Sequence, residues 1–249
     1  AQLAHLVESG HAAAALTEDS DLLPFGCPRT LYKMEPSGGC ELIEYSDLQN
    51  AEERGGHLFD GEWRDEWEAW SRDGLFVDMC VLAGTDYLPS IVGVGVKTAH
   101  RELRRAKSLE RAVPRLPNAP RGDDLKDYLA HARQARHAFL HHWVWSPDAG
   151  ALVRLRPPPP GLGTLDHLGP PLDRETARRG CAAPRAARGA RRRARPRRSR
   201  RARSHTEIVA NGVASIARSR GSVRSRYCSA SSVRLRSANT MPIINKARP

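Results

Sequence analysis

The chain has 249 residues, enough for one large domain or two modest ones. Residues 178–249 hold 21 of the 40 Lys and Arg against one acid, Glu207, so this stretch carries +20 while residues 1–177 carry −8. The acidic body excludes a simple basic nucleic-acid coat, and five cysteines without a CxxC pair exclude that kind of zinc framework and suit a reducing compartment.

In chain order, residues 1–9 read as the end of a helix closed by Gly10, with Leu3, Leu6 and Val7 in helical register. The first residue is Ala1 and not methionine, so the chain reads as a fragment or an incomplete gene model. Residues 11–17 are an apolar run short enough for a buried strand, closed by Thr17-Glu18-Asp19-Ser20-Asp21. Residues 30–34 and 41–45 read as strands around the turn Pro36-Ser37-Gly38-Gly39. Within residues 49–73, Phe59, Trp63, Trp67 and Trp70 form a helical stripe, expected to pack on the core and not to stack on bases.

Residues 74–99 organise the remainder. Phe76, Met79, Cys80, Val81 and Ala83 suit a buried helix face, and Gly84 can close that helix with a left-handed cap. Asp86 follows, then a turn at Pro89-Ser90, then Gly93-Val94-Gly95, and a second helix from Lys97 to about residue 106. A glycine-bearing loop that opens a helix is a phosphate cradle, because the helix's first amides have no partner. Residues 101–113 read as helical and basic on one face through Arg101, Arg104 and Arg105, with 114–120 as a linker. Residues 123–145 read as a further helix, whose His131, His137, His141 and His142 are expected to be solvated, with His137 and His141 the one clean i, i+4 pair.

Residues 157–160 are four prolines, and from Arg178 the composition collapses to Arg, Ala, Pro and Ser, a segment expected to be disordered and to bind any polyanion. The same composition is what a GC-rich message yields when read out of frame. No apolar run is long enough to span a bilayer, so no membrane partner is expected.

Asp19 and Asp21 lie two apart at the end of a predicted strand, which would turn both carboxylates to one side. Paired carboxylates facing a crevice suit hard divalent cations such as Mg²⁺. A T-E-D-S-D segment also suits a turn or a helix cap. Residues 93–98 are neither a P-loop, which needs Gly where Val96 stands, nor a dinucleotide fingerprint, which needs Gly where Thr98 stands. They remain either a hairpin whose amides hold one DNA phosphate or a tight interhelical turn without a ligand.

Taken together, the carboxylate pair, the strands, G-T-D-Y and I-x-G-x-G-x-K resemble the structure-specific 5′ nuclease family of flap endonucleases and their relatives. The resemblance covers residues 1–48 and about 75–176. It implies an α/β fold: a partial PIN-like nuclease core with a parallel-type sheet over residues 1–73, carrying an atypical insert at 49–73. A helix–two-turn–helix DNA-binding region over 74–156 and a disordered tail over 157–249 follow. It further implies a Mg²⁺-dependent 5′→3′ exodeoxyribonuclease with 5′-flap activity in DNA repair. Asp19, Asp21 and Asp86 would be its catalytic metal ligands, within a family site of two Mg²⁺ ions. Gly93, Val94, Gly95, Val96, Lys97 and Thr98 would contact DNA, with Ser90 and the Val94 carbonyl holding K⁺. Double-stranded DNA with 5′ ends, nicks or flaps, DNA-repair proteins and a nuclear location complete the expectation. The family's first acidic residue, a further acidic pair and the arch helices have no counterpart in residues 1–249, which leaves a second expectation, a non-catalytic duplex-binding module. A third is that the arginine tail dominates as a nonspecific nucleic-acid binder.

Overall fold

Helix α1 (Gln2–Glu8) buries Ala4 and Val7 against the core, and the chain returns through residue 14 into a short strand, β1 (Ala15–Leu16). The computed structural model describes residues 1–53, 56–57, 67, 70–71, 74–181 and 244–245. Strand β2 (Arg29–Tyr32) runs parallel to β1, with Ala15 opposite Thr30 and Leu16 opposite Leu31. Strand β3 (Glu41–Glu44) runs antiparallel to β2, with Thr30 opposite Ile43. The sheet is therefore mixed, which corrects the expected parallel type. The cause is local. Glu35 and Gly39 close a tight reversal, with Gly38 at φ +88°, and a reversal this short returns the chain only antiparallel. A two-residue ladder, β4 (Glu52–Glu53) and β5 (Gly56–His57), follows.

The centre of the fold is α2 (Leu75–Ala83). All nine of its residues are buried, not one face as its apolar spacing suggested, and a helix covered on every side belongs to the middle of a core. Tyr45 and Trp67 meet the Phe76 ring edge-on or nearly so at 5.8 and 5.5 Å, and Trp70 is 2% exposed. Trp67 and Trp70 thus pack on the core as expected, while Phe59 and Trp63 lie outside the described residues. Asp78, in the same helix, is 0% exposed and accepts a 2.7 Å hydrogen bond from Arg136 Nη1. Burial pushes its carboxyl up to about 7, against the pull of Arg136.

Helix α3 (Val96–Ala106) packs on α2 and stops where Lys107 takes φ +57°. A new turn of helix, α4 (Leu109–Ala112), starts from Ser108, whose hydroxyl accepts the Arg111 amide. The expected continuous helix over 101–113 is therefore two helices. The basic face is partly neutralised, because buried Glu102 accepts Arg101 at 2.9 Å and faces Arg105 at 3.7 Å. Helix α5 (Asp123–His141) crosses α2 and places Phe139 against Phe25.

The sequence from Trp143 is strand and not helix: β6 (Trp143–Ser146) and β7 (Ala151–Arg154) form a hairpin. Pro147 and Gly150 interrupt the helical pattern there, and Trp143, Val144 and Trp145 favour the pleated surface. The Arg154 guanidinium lies 3.6 Å over the Trp143 ring. The histidines of α5 are not all solvated. His131 is exposed, but His141 is 5% exposed and bonds the Arg156 carbonyl, and burial lowers His137 to about 4, helped by His167 and His141.

Beyond residue 157, helix α6 (Arg174–Cys181) buries Ala177, so the structureless expectation does not extend to it. Residues 182–243 lie outside the described residues. A two-residue strand, β8 (Ile244–Asn245), pairs parallel to β1 and gives the sheet order β3-β2-β1-β8. No described helix is long and apolar enough to cross a membrane.

Candidate active site

The end of β1 is built by its own short polar side chains. The Thr17 amide donates to the Leu31 carbonyl, and the Thr17 hydroxyl accepts the Asp19 amide at 2.9 Å. Glu18 turns outward and accepts the Lys33 amide, which ties this corner to the end of β2. Asp19 then caps a 3-10 turn (Ser20–Leu22), its Oδ1 accepting the Asp21 amide at 3.0 Å. Strand alternation therefore does not orient Asp19 and Asp21. A cap followed by a 3-10 turn does, and Leu22, Leu23 and Phe25 anchor that turn in the core.

Asp86 arrives from α2. Gly84 closes that helix at φ +110°, ψ +131°, outside the left-handed cap region expected for it. Thr85 and Leu88 then exchange backbone hydrogen bonds, and the Thr85 hydroxyl also accepts the Leu88 amide. The two residues between them, Asp86 and Tyr87, are held outward on this tight turn, and both are exposed.

Tyr87 stands beside Asp86 on the turn, and its ring is partly covered. The Tyr87 phenol is pushed up by burial and then by the charges of Asp21, Asp86 and Asp19, so all three carboxylates act on it. Asp21 also acts on Cys80, buried in α2, whose thiol is raised chiefly by burial. The Tyr87 ring stands edge-on to Phe139 at 5.1 Å, and Phe139 stands edge-on to Phe25 at 4.9 Å. This stack joins the Asp21 turn, the Asp86 turn and α5. Residue spacing gave no sign of Phe139 as its platform, whereas Tyr87 stands directly beside Asp86.

These donors are carboxylate oxygens, the kind that hard divalent cations take, so the set fits Mg²⁺ in its chemistry. Among the described residues no group of three His, Cys, Asp or Glu side chains is drawn together closely enough to hold an ion. The His137 and His141 rings, 5.9 Å apart, form no such group either.

The glycine hairpin follows at once. Ser90 packs on Gly84, where an added Cβ would stand 3.2 Å from the Ser90 Cβ. The Val94 amide donates to the Ile91 carbonyl at 2.9 Å, and Gly93 takes φ +84°, the third position of a type II turn. Val94 and Val96 are buried while Gly93, Gly95 and Lys97 are exposed, and Thr98 is half-buried. The alternation anchors the hairpin by its valines and presents its glycines and lysine outward. Asn118, which the sequence did not single out, donates from Nδ2 to the Val92 carbonyl at 3.0 Å.

Residues 1–86 match the XPG I-region family model. The chain is 32% identical over 179 residues to exonuclease 1 of Oryza sativa subsp. japonica, covering 72% of this chain and 20% of that protein. It is 32% identical over 162 residues to exodeoxyribonuclease 1 of Schizosaccharomyces pombe (64% of this chain, 25% of that one). With flap endonuclease 1 of Ovis aries it shares 33% over 149 residues, covering 60% of this chain and 35% of the relative. The chain thus spans between a fifth and about a third of the curated relatives named here.

Proposed function

We propose that this chain, a member of the structure-specific 5′ nuclease family and exonuclease 1-like, serves Mg²⁺-dependent 5′→3′ exodeoxyribonuclease and 5′-flap endonuclease chemistry on DNA. The observation that carries the reading is the placing of the turns: Asp19 caps the Ser20–Leu22 turn at the end of β1, and Asp86 is held outward at the end of α2, directly before an exposed glycine hairpin that opens α3. Asp19, Asp21 and Asp86 would hold the divalent ions. When bound there, such ions polarise a phosphodiester oxygen and lower the pKa of an attacking water. The residues supply the rest. Asp19 keeps Asp21 in its turn, the Thr85–Leu88 bridge keeps Asp86 outward, and Phe139 backs the Tyr87 ring.

Exposed Gly93 and Gly95 through their backbone amides, the Lys97 ammonium and the start of α3 at Val96 and Thr98 would grip one phosphate run of the duplex without reading bases. Ser90 and the Val94 carbonyl would hold K⁺ at that hairpin. The substrates would be duplexes with 5′ ends, nicks or flaps, in nuclear DNA repair alongside other repair proteins. Replacing Asp86 by Ala in the 249-residue chain tests the reading. Loss of Mg²⁺-dependent cleavage of a 5′-flap duplex, with duplex binding retained, supports it. Unchanged turnover rejects it.

One observation favours a second reading, a non-catalytic duplex-binding module: no three donor side chains are gathered tightly enough for an ion among the described residues. Duplex binding without Mg²⁺-dependent cleavage by the unaltered chain selects it.

A further inference from the structure

The tip of the glycine hairpin is a peptide that can face either way. In a four-residue turn the central peptide, here Val92–Gly93, flips between the type I and type II arrangements, exchanging which side its carbonyl and its N–H occupy. A trans peptide holds these two groups antiparallel, so fixing one fixes the other. The Asn118 amide fixes the carbonyl: Nδ2 donates to Val92 O at 3.0 Å, across a separation of 26 residues. Gly93, at φ +84°, is in the type II state that this direction requires. An N–H facing outward attracts a phosphate oxygen, whereas a carbonyl facing outward repels it.

Asn118 is itself shaped for this task. It takes φ +54°, a left-handed conformation that asparagine tolerates better than most residues. It reaches the hairpin from the loop that follows the 3-10 turn Val113–Arg115. That loop is anchored below by buried Leu116 and by the Ala119 amide on the Leu116 carbonyl at 3.2 Å. Pro117 and the Asn118 amide lie beside Gly93, where an added Cβ would stand in ordinary contact with them at 4.0 and 3.9 Å. Val92, whose carbonyl is held, is 80% exposed, so its own side chain does nothing to hold the tip.

We propose that Asn118 is a positioning residue for duplex binding: its side-chain amide sets the polarity of the hairpin tip, so that the Gly93 N–H and not the Val92 carbonyl meets the DNA backbone. The proposal rests on the reading of the hairpin as the duplex-binding element. It differs from a direct contact, because Asn118 carries no charge and displaces no counterion.

The test measures binding of a 5′-flap duplex by the full chain across a salt series, with the melting temperature of each variant. Asn118→Ala should weaken binding by roughly 3- to 10-fold, the value of one hydrogen bond, and leave the slope of log affinity against log salt unchanged. Asn118→Gly keeps the left-handed backbone but lacks the donor, and should weaken binding equally. Asn118→Asp, which cannot donate and adds a negative charge, should weaken it further. Lys97→Ala should instead reduce the salt slope by about 1, as loss of a phosphate contact does.

If Asn118→Gly binds as the unaltered chain does, the amide is not the determinant and the proposal fails. It fails equally if the losses merely track falling melting temperatures across the variants. If Lys97→Ala also changes neither affinity nor slope, the hairpin reading itself is at fault, and the two failures are told apart.

Discussion

Replacing Arg136 by Ala tests the electrostatics at the centre of the fold. Asp78 is 0% exposed, and Arg136, 29% exposed, donates to it at 2.7 Å. Burial raises the Asp78 carboxyl from 3.8 to about 7, so the folded state binds a proton that the unfolded chain releases. Stability from this group is complete below pH 3.8 and is lost as pH rises toward about 7. Above that, the unaltered protein loses no more, because Arg136 holds the ionised form. Without Arg136 the carboxyl must stay protonated to remain buried, at about 1.4 kcal/mol for each further pH unit. The variant should therefore fall behind by little near pH 6 and by about 2 kcal/mol at pH 8.5, beyond a constant loss of packing. Thermal melts at the two pH values measure the gap. In an Asp78→Asn background the pH-dependent part should vanish. A gap that is the same at both pH values, or that persists beside Asn, refutes the assignment.

Phe139→Ala removes a fully buried ring that Phe25 and Tyr87 both contact, and should cost about 3–5 kcal/mol in chemical denaturation. The same variant should slow any Mg²⁺-dependent cleavage more than it weakens duplex binding, since Phe139 backs the Tyr87 ring next to Asp86 in the chain. Gly84→Ala places a Cβ 3.2 Å from Ser90 at φ +110°, and should lower the melting temperature by several degrees and weaken duplex binding through the displaced hairpin. Deleting residues 178–249 removes a net charge of +20 and should flatten the salt dependence of binding to random-sequence DNA. An unchanged slope would show that the tail takes no part.

Much of the scaffold was legible in local pattern. Residues 75–83 announced themselves by apolar period and a closing glycine, residues 97–106 as a helix opened by a glycine loop, and β2 and β3 as short runs on either side of the Pro36–Gly39 turn, because those signals act over a few neighbours. Asp19, Asp21, Asp86 and the hairpin residues 93–98 were legible only as a motif order resembling a family. Spacing could not say that an aspartate cap and a 3-10 turn, not a strand, orient the first two. The helix expected to run through residue 145 ended at His141, because the β6–β7 pairing outweighed a weak helical pattern.

What the sequence alone determined was where much of the helical and strand scaffold lies and the placing of glycine where the backbone turns. It also placed the chemistry-bearing residues on loops. What only the tertiary structure decided was which distant groups share one environment: Phe25 with Phe139 and Tyr87, Arg136 with Asp78, Asn118 with the Val92 carbonyl. The physical reason is range. Helix and turn propensities are set by neighbours in the chain, whereas burial, charge coupling and a hydrogen bond across 26 residues exist only once the core has closed.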